Sequence, residues 1–108
     1  MAFLTKTQRY EAVRSVIRPY LPAGDPAYGG GICAFLSCCS QALPAEASEW
    51  DVLRHASLPA HELRSWIESL PPGEVRMGLE FYPKALGPGV FLEYQQTLRR
   101  VAVSPHPS

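Results

Sequence analysis

Glu74-Val75-Arg76-Met77-Gly78-Leu79-Glu80-Phe81-Tyr82 is the stretch on which the fold class turns, because here the apolar residues alternate. On an extended backbone Val75, Met77, Leu79 and Phe81 face one way and Glu74, Arg76, Gly78, Glu80 and Tyr82 the other. That period of two belongs to a half-buried strand. Gly78 falls inside the pattern, where a strand glycine marks a bulge or a close backbone approach. A short strand or hairpin is therefore expected after Gly73, in a chain whose other segments have the period of a helix.

Immediately upstream, Pro71-Pro72-Gly73 ends a helix that Pro59 opens from a first-turn position, running to about Leu70 with Leu63, Trp66, Ile67 and Leu70 as its stripe. Ser48 and Asp51 have capping-box spacing, and Trp50 and Leu53 follow, so a short helix or single turn is expected to end near His55. Ile32, Phe35, Leu36, Cys39 and Leu43 form one face of a helix that Pro44 closes. Cys39 is expected to be buried. Cys33, Ser37, Ser40 and Gln41 lie toward the other side, facing solvent or small side chains, with Cys38 near the boundary.

The first helix is expected from Thr5 to Arg18, with Thr5 and Gln8 as a capping box and Tyr10, Val13, Ile17 and then Tyr20 or Leu21 at helical spacing. It stops at Pro19, since the residue before proline is pushed out of helical geometry. Leu21 to Gly31 is turn chemistry throughout, a surface loop. Downstream, Pro83 to Gly89 reads as a second loop. Val90 to Val103 fits a helix through Phe91, Tyr94, Leu98 and Val101 and a strand through Val90, Leu92 and Tyr94, with helix the preferred of the two. Ser104 to Ser108 is a frayed tail.

The 108 residues make one domain, residues 1–103 ahead of the tail, and a domain of this size buries roughly two-thirds of its unfolded surface. Eleven prolines, about twice the usual share, point to rigid, irregular connections. The expected architecture is mostly α: three to four short amphipathic helices, long Pro/Gly loops and the strand or hairpin after Gly73. Ten basic side chains balance ten acidic ones, so no global field gathers nucleic acid or anionic lipid. No N-terminal apolar region or stretch of ~20 apolar residues is present, and a soluble, cytoplasmic protein is expected. Three cysteines on one short element make a poor disulfide framework and are expected to be reduced thiols.

Gly29-Gly30-Gly31 precedes a helix N-terminus, where free backbone N–H groups attract anions. A Walker loop, however, needs a lysine and a hydroxyl residue after its last glycine, and Ile32 and Cys33 stand there instead. Cys33 falls in the first helical turn, where the dipole lowers a thiol's pKa. A cysteine nucleophile would also need His55 or His61 as base and Asp51 or Glu62 to orient it. Zinc is disfavoured, because cysteines five and six positions apart on one helix do not converge. Neither metal nor cofactor is expected.

Lys6, Arg9, Arg14 and Arg18 outnumber Glu11 on the first helix, an ordinary solvated face from which Arg9 and Arg14 could contact a partner. The layout from Pro59 to Tyr94 matches that of some winged-helix proteins, but Arg76 is the one base-reading side chain between Gly73 and Pro83. Tyr10, Tyr20, Tyr28, Tyr82 and Tyr94 lie at segment ends, where amphipathic aromatics suit protein interfaces.

Gly31-Ile32-Cys33-Ala34-Phe35-Leu36, the helix Leu63 to Leu70, Phe81-Tyr82-Pro83 and Tyr94-Gln95-Gln96-Thr97-Leu98-Arg99-Arg100 together resemble a pattern in small phage and prophage proteins of uncharacterised function. The chain departs from it in lacking a tryptophan near Phe81. The resemblance implies a mobile-element origin and, by analogy, binding and blocking of a host protein complex, including defence or transcription machinery. It carries no catalytic residue over. The expected function is therefore a non-enzymatic protein-binding module, with Tyr28, Gly29, Gly30, Gly31, Cys33, Tyr82, Arg9 and Arg14 as candidate contacts. A homodimer is a further expectation. A winged-helix-like nucleic-acid regulator and an enzyme using Cys33 are the alternatives.

Overall fold

Both capping boxes read from the sequence open helices in the computed structural model, which describes residues 3–21 and 31–103. Thr5 accepts from the Gln8 backbone N–H at 3.0 Å while Gln8 Oε1 accepts from the Thr5 N–H at 2.9 Å, starting α1 (Lys6–Ile17). A 3-10 turn, Arg18–Tyr20, follows at Pro19. Ser48 and Asp51 make the same exchange at the start of α3 (Glu49–Ala56). The Ser48 N–H bond and the Arg54 guanidinium hold the Asp51 carboxyl below its ordinary pKa, against a smaller opposing effect of burial.

Among the described residues the chain forms six α-helices and no strand, more helix than the three or four expected. The others are α2 (Gly31–Ala42), α4 (Ala60–Glu68), α5 (Glu74–Leu86) and α6 (Pro88–Val103). Val90 to Val103 is helical, as preferred, and Phe91, Tyr94, Leu98 and Val101 are buried. The connections after α3, among the described residues, are also shorter than expected. Pro71-Pro72-Gly73 lies in a five-residue turn, and Gly87 alone joins α5 to α6, at φ 92, in the region that glycine tolerates best. The remaining loop residues, 22–30, and the tail, 104–108, lie outside the described residues.

The alternating segment is helix. Val75, Leu79, Tyr82 and Leu86, at offsets of 4, 7 and 11, form the stripe that packs on the core, while Met77 and Phe81 are 65% and 60% exposed. Alternation over nine residues satisfied both periods, and burial against α2 selected the helical one. Pro83, expected to begin a loop, lies inside α5 and removes one backbone donor there. The helix ends one turn later.

α2 is central, packing most extensively on α5 and then on α1 and α3. Ile32, Phe35, Leu36, Cys39 and Leu43 are all buried, as the spacing predicted. The α2–α5 contact is close at two points. A Cβ on Gly78 would lie 2.6 Å from Cys38 Sγ, and one on Gly31 would lie 2.5 Å from Leu86 Cδ2. Each glycine thus admits a side chain of the opposite helix.

Side chains from neighbouring helices close the helix C-termini, whose last carbonyls lack intrahelical donors. Arg9, expected on a solvated face, is instead 1% exposed and sits under the end of α2. It donates from Nε to Ser40 Oγ at 3.2 Å, from Nη1 to the carbonyls of Pro44 at 2.7 Å and Ala47 at 2.9 Å, and from Nη2 to those of Ser40 and Leu43. All five N–H groups of the guanidinium are used. Ser40, also expected on the solvent side, is buried because it is part of this cap, its hydroxyl donating to the Lys6 carbonyl at 2.8 Å. Gln95 of α6 donates to the carbonyls of Ala56 and Leu58 at 3.0 and 2.9 Å, and Arg99 Nη2 to that of Ser57 at 2.6 Å. Arg76 Nη1 reaches the Leu70 carbonyl beyond α4 at 3.2 Å.

Two outcomes follow for chemical denaturation. Arg9→Ala orphans several carbonyls at once and should cost at least about 3 kcal/mol, with Arg9→Lys recovering only part because an ammonium lacks the planar fork. Gly78→Ala gains about 1 kcal/mol of helix propensity but meets Cys38 Sγ. It should therefore be more favourable by about 1 kcal/mol or more in a Cys38→Ala background, and equal effects in both backgrounds would refute the close contact.

Candidate binding groove

The single-residue corner at Gly87 and the turn before α5 set α4, α5 and α6 around an open groove of about 750 Å³. α4 contributes Leu63 and Ile67, one helical turn apart, from the stripe read in the sequence. Leu79 and Pro83 of α5 and Phe91 of α6 complete an apolar floor, and Phe91 is held edge-on to Phe35 of α2 with ring centroids 5.0 Å apart. Leu92, 49% exposed, stands on the α6 wall. Arg64, Glu68, Glu80 and Lys84, all exposed, give the rim both signs of charge. Gln95 also lines the groove, but its amide is committed to the carbonyls of Ala56, at the end of α3, and Leu58, just beyond it. The proline that removed a backbone donor from α5 thus forms part of the groove floor.

The residues singled out in the sequence do not converge there. Arg9 caps the C-terminal end of α2 and Gly31 begins that helix, so the two are separated by about 16 Å of helix axis. Gly31 serves packing through Leu86. Tyr82 is half-buried against the core and meets Phe81 edge-on at 5.2 Å. Of the other tyrosines, Tyr94 is buried and Tyr20 is 58% exposed. Tyr28, Gly29 and Gly30 lie outside the described residues.

Cys33, Tyr10 and Arg14 do come together. Cys33, expected toward solvent, is 2% exposed, because α1 covers that side of α2. Burial pushes its thiol pKa up, and neither Arg14 nor the hydrogen bond from Tyr10 reverses the shift. The helix N-terminus therefore does not yield the lowered thiol pKa expected of it. Arg14 is half-buried, and its Nε has no hydrogen-bond partner among the described residues. Burial raises Cys38 as well, and fully buried Cys39 well above the ordinary thiol value. His55, the candidate base, holds its Nδ1 2.8 Å from the Asp51 carbonyl and its ring 4.9 Å from that of Trp66. His61 is exposed on α4. The described residues contain no group of three His, Cys, Asp or Glu side chains placed to hold a metal ion, and no helix among them is long and apolar enough to cross a membrane.

Leu63, Ile67 and Phe91 stand in the stripes legible in the sequence, but the alternation over residues 74–82 predicts a strand and so puts Leu79 and Pro83 on separate elements. Their spacing of four, beside the Leu63–Ile67 pair, was the signal available.

Half-exposed Cys38 should be alkylated first in the native protein, with Cys33 and Cys39 modified at appreciable rate only on unfolding, as a timed labelling experiment read by mass spectrometry would show. The raised thiols contribute stability that is complete below the unfolded thiol pKa and is lost as pH climbs through the folded value, so the denaturation midpoint should fall in alkali.

Comparison with protein-family models, with curated proteins and with solved structures finds no match, so the residues themselves are what point to a function.

Proposed function

We propose that the protein is a non-enzymatic binding module whose α4–α5–α6 groove takes the apolar face of an amphipathic helix from another protein. The groove supports this reading: an apolar floor flanked by side chains of both signs suits anchors at i, i+3, i+4 and i+7 of a docking helix. Arg64 and Lys84 would meet acidic flanks of that helix, and Glu68 and Glu80 basic ones. Such a partner would lie across the accessible edges of Leu63, Ile67 and Phe91, with Leu92 as the exposed anchor.

The setting implied by the resemblance to small phage proteins is the binding and blocking of a host protein complex in the cytoplasm. The alternatives find less support. Cysteine catalysis is disfavoured by the buried, raised Cys33 thiol, and a winged helix lacks its strand because residues 74–86 are helical.

The test uses Leu92→Glu, which changes an exposed side chain of the groove wall and should leave the denaturation midpoint nearly unchanged. A host protein captured by the wild-type chain should bind this variant at least tenfold more weakly, about 1.4 kcal/mol, by calorimetry, and should bind Ser15→Ala on α1 with unchanged affinity. Equal affinity of wild type and Leu92→Glu would remove the groove as the site.

A further inference from the structure

We propose that the outer face of α5, apart from the groove floor, is a self-association surface on which a second copy of the chain docks antiparallel about a two-fold axis. Met77 and Phe81 are spaced four residues apart, so they lie on one face, and both are more than half exposed. They are the two most exposed of the large apolar side chains in the described residues. An aromatic and a thioether on one helix turn are typical of the centre of a protein interface. The Phe81 ring is already held edge-on by Tyr82, which lowers the entropy lost when it is covered.

Charge identifies the occupant. Glu80 and Lys84, also four residues apart and exposed, run along the flank of the Met77–Phe81 stripe. When a helix meets its own copy antiparallel, a position i and a position i+4 on the same flank are brought opposite one another, and symmetry makes the contact twice. Glu80 of each copy then faces Lys84 of the other, giving two equivalent ion pairs around a central contact of the two Phe81 rings. A parallel pairing would instead set this flank against the opposite flank of the copy, where Ala85 stands, and would leave both charges without a partner. Exposed Ala85, on the far side of Phe81, lets the two backbones approach. Within one chain the Glu80 carboxylate has only a long contact, 4.0 Å, from Arg76 Nε, so little is lost when it turns to a partner.

Sedimentation equilibrium of the purified chain over a wide concentration range tests the arrangement, with far-ultraviolet circular dichroism to show that each variant folds. The wild type should dimerise. Phe81→Glu should raise the dissociation constant at least tenfold. Glu80→Lys and Lys84→Glu should each weaken the dimer severalfold, since like charges then meet, and the double variant Glu80→Lys/Lys84→Glu should return it to within about threefold of wild type. A wild-type chain that stays monomeric, a dimer indifferent to Phe81→Glu, or charge reversals that the double variant does not rescue would each overturn the proposal. The purified chain alone is measured, so the outcome does not depend on whether the groove binds another protein.

Discussion

The guanidinium of Arg9 is the interaction on which the arrangement of the first three helices depends. A helix end carries partial negative charge and unpaired carbonyls, and burying it without donors costs more than most packing contacts return. α2 is the central helix, so its C-terminal end is enclosed. Arg9 supplies a fixed fan of five donors to that end and to the following turn at Pro44 and Ala47, and its charge suits the negative end of the helix dipole. The same residue therefore sets the angle of α1 on α2 and the path of the chain into α3. Gln95 and Arg99 do for α3 from α6 what Arg9 does for α2 from α1.

With one end of α2 closed in this way, its flank is free to take α5 at close range. The two helices exchange a glycine for a side chain at each end of their contact, Gly31 for Leu86 and Gly78 for Cys38. α5 is thereby fixed along its length, and the single-residue corner at Gly87 fixes α6 after it. The groove between α4, α5 and α6 is a consequence of this rigid seating. α5 turns one face to α2, a second to the groove and a third, with Met77 and Phe81, to solvent. Glu80 and Lys84 stand where the groove face meets the outer one, so those two faces share their charged border.

Much of the frame was legible because its signals are local. A capping box is set by residues three apart, Pro19 and Pro44 fall just past the helices they are expected to close, and the stripes of α1, α2 and α4 recur at helical spacing, while the run of α6 also allows a strand. The misreading of residues 74–82 has a physical origin. Val75 and Leu79 satisfy both a period of two and a spacing of four, and only Tyr82, on the opposite face of the alternation, and Leu86, beyond it, break the tie in favour of helix. Pro83 reinforced the error, since a proline late in a short helix resembles a boundary.

What the sequence by itself determined is the α-rich class, the helix starts at Thr5 and Ser48, and the buried faces of α1, α2 and α4, since those follow from hydrogen bonding and periodicity within a few residues. The tertiary structure alone decided that Arg9 is a buried cap and not a surface charge, that Cys33 is a shielded thiol, and that α4, α5 and α6 enclose a groove. Each of these depends on what lies against a side chain from thirty or more positions away in some cases and from another helix in all of them, and chain spacing carries no record of that neighbour.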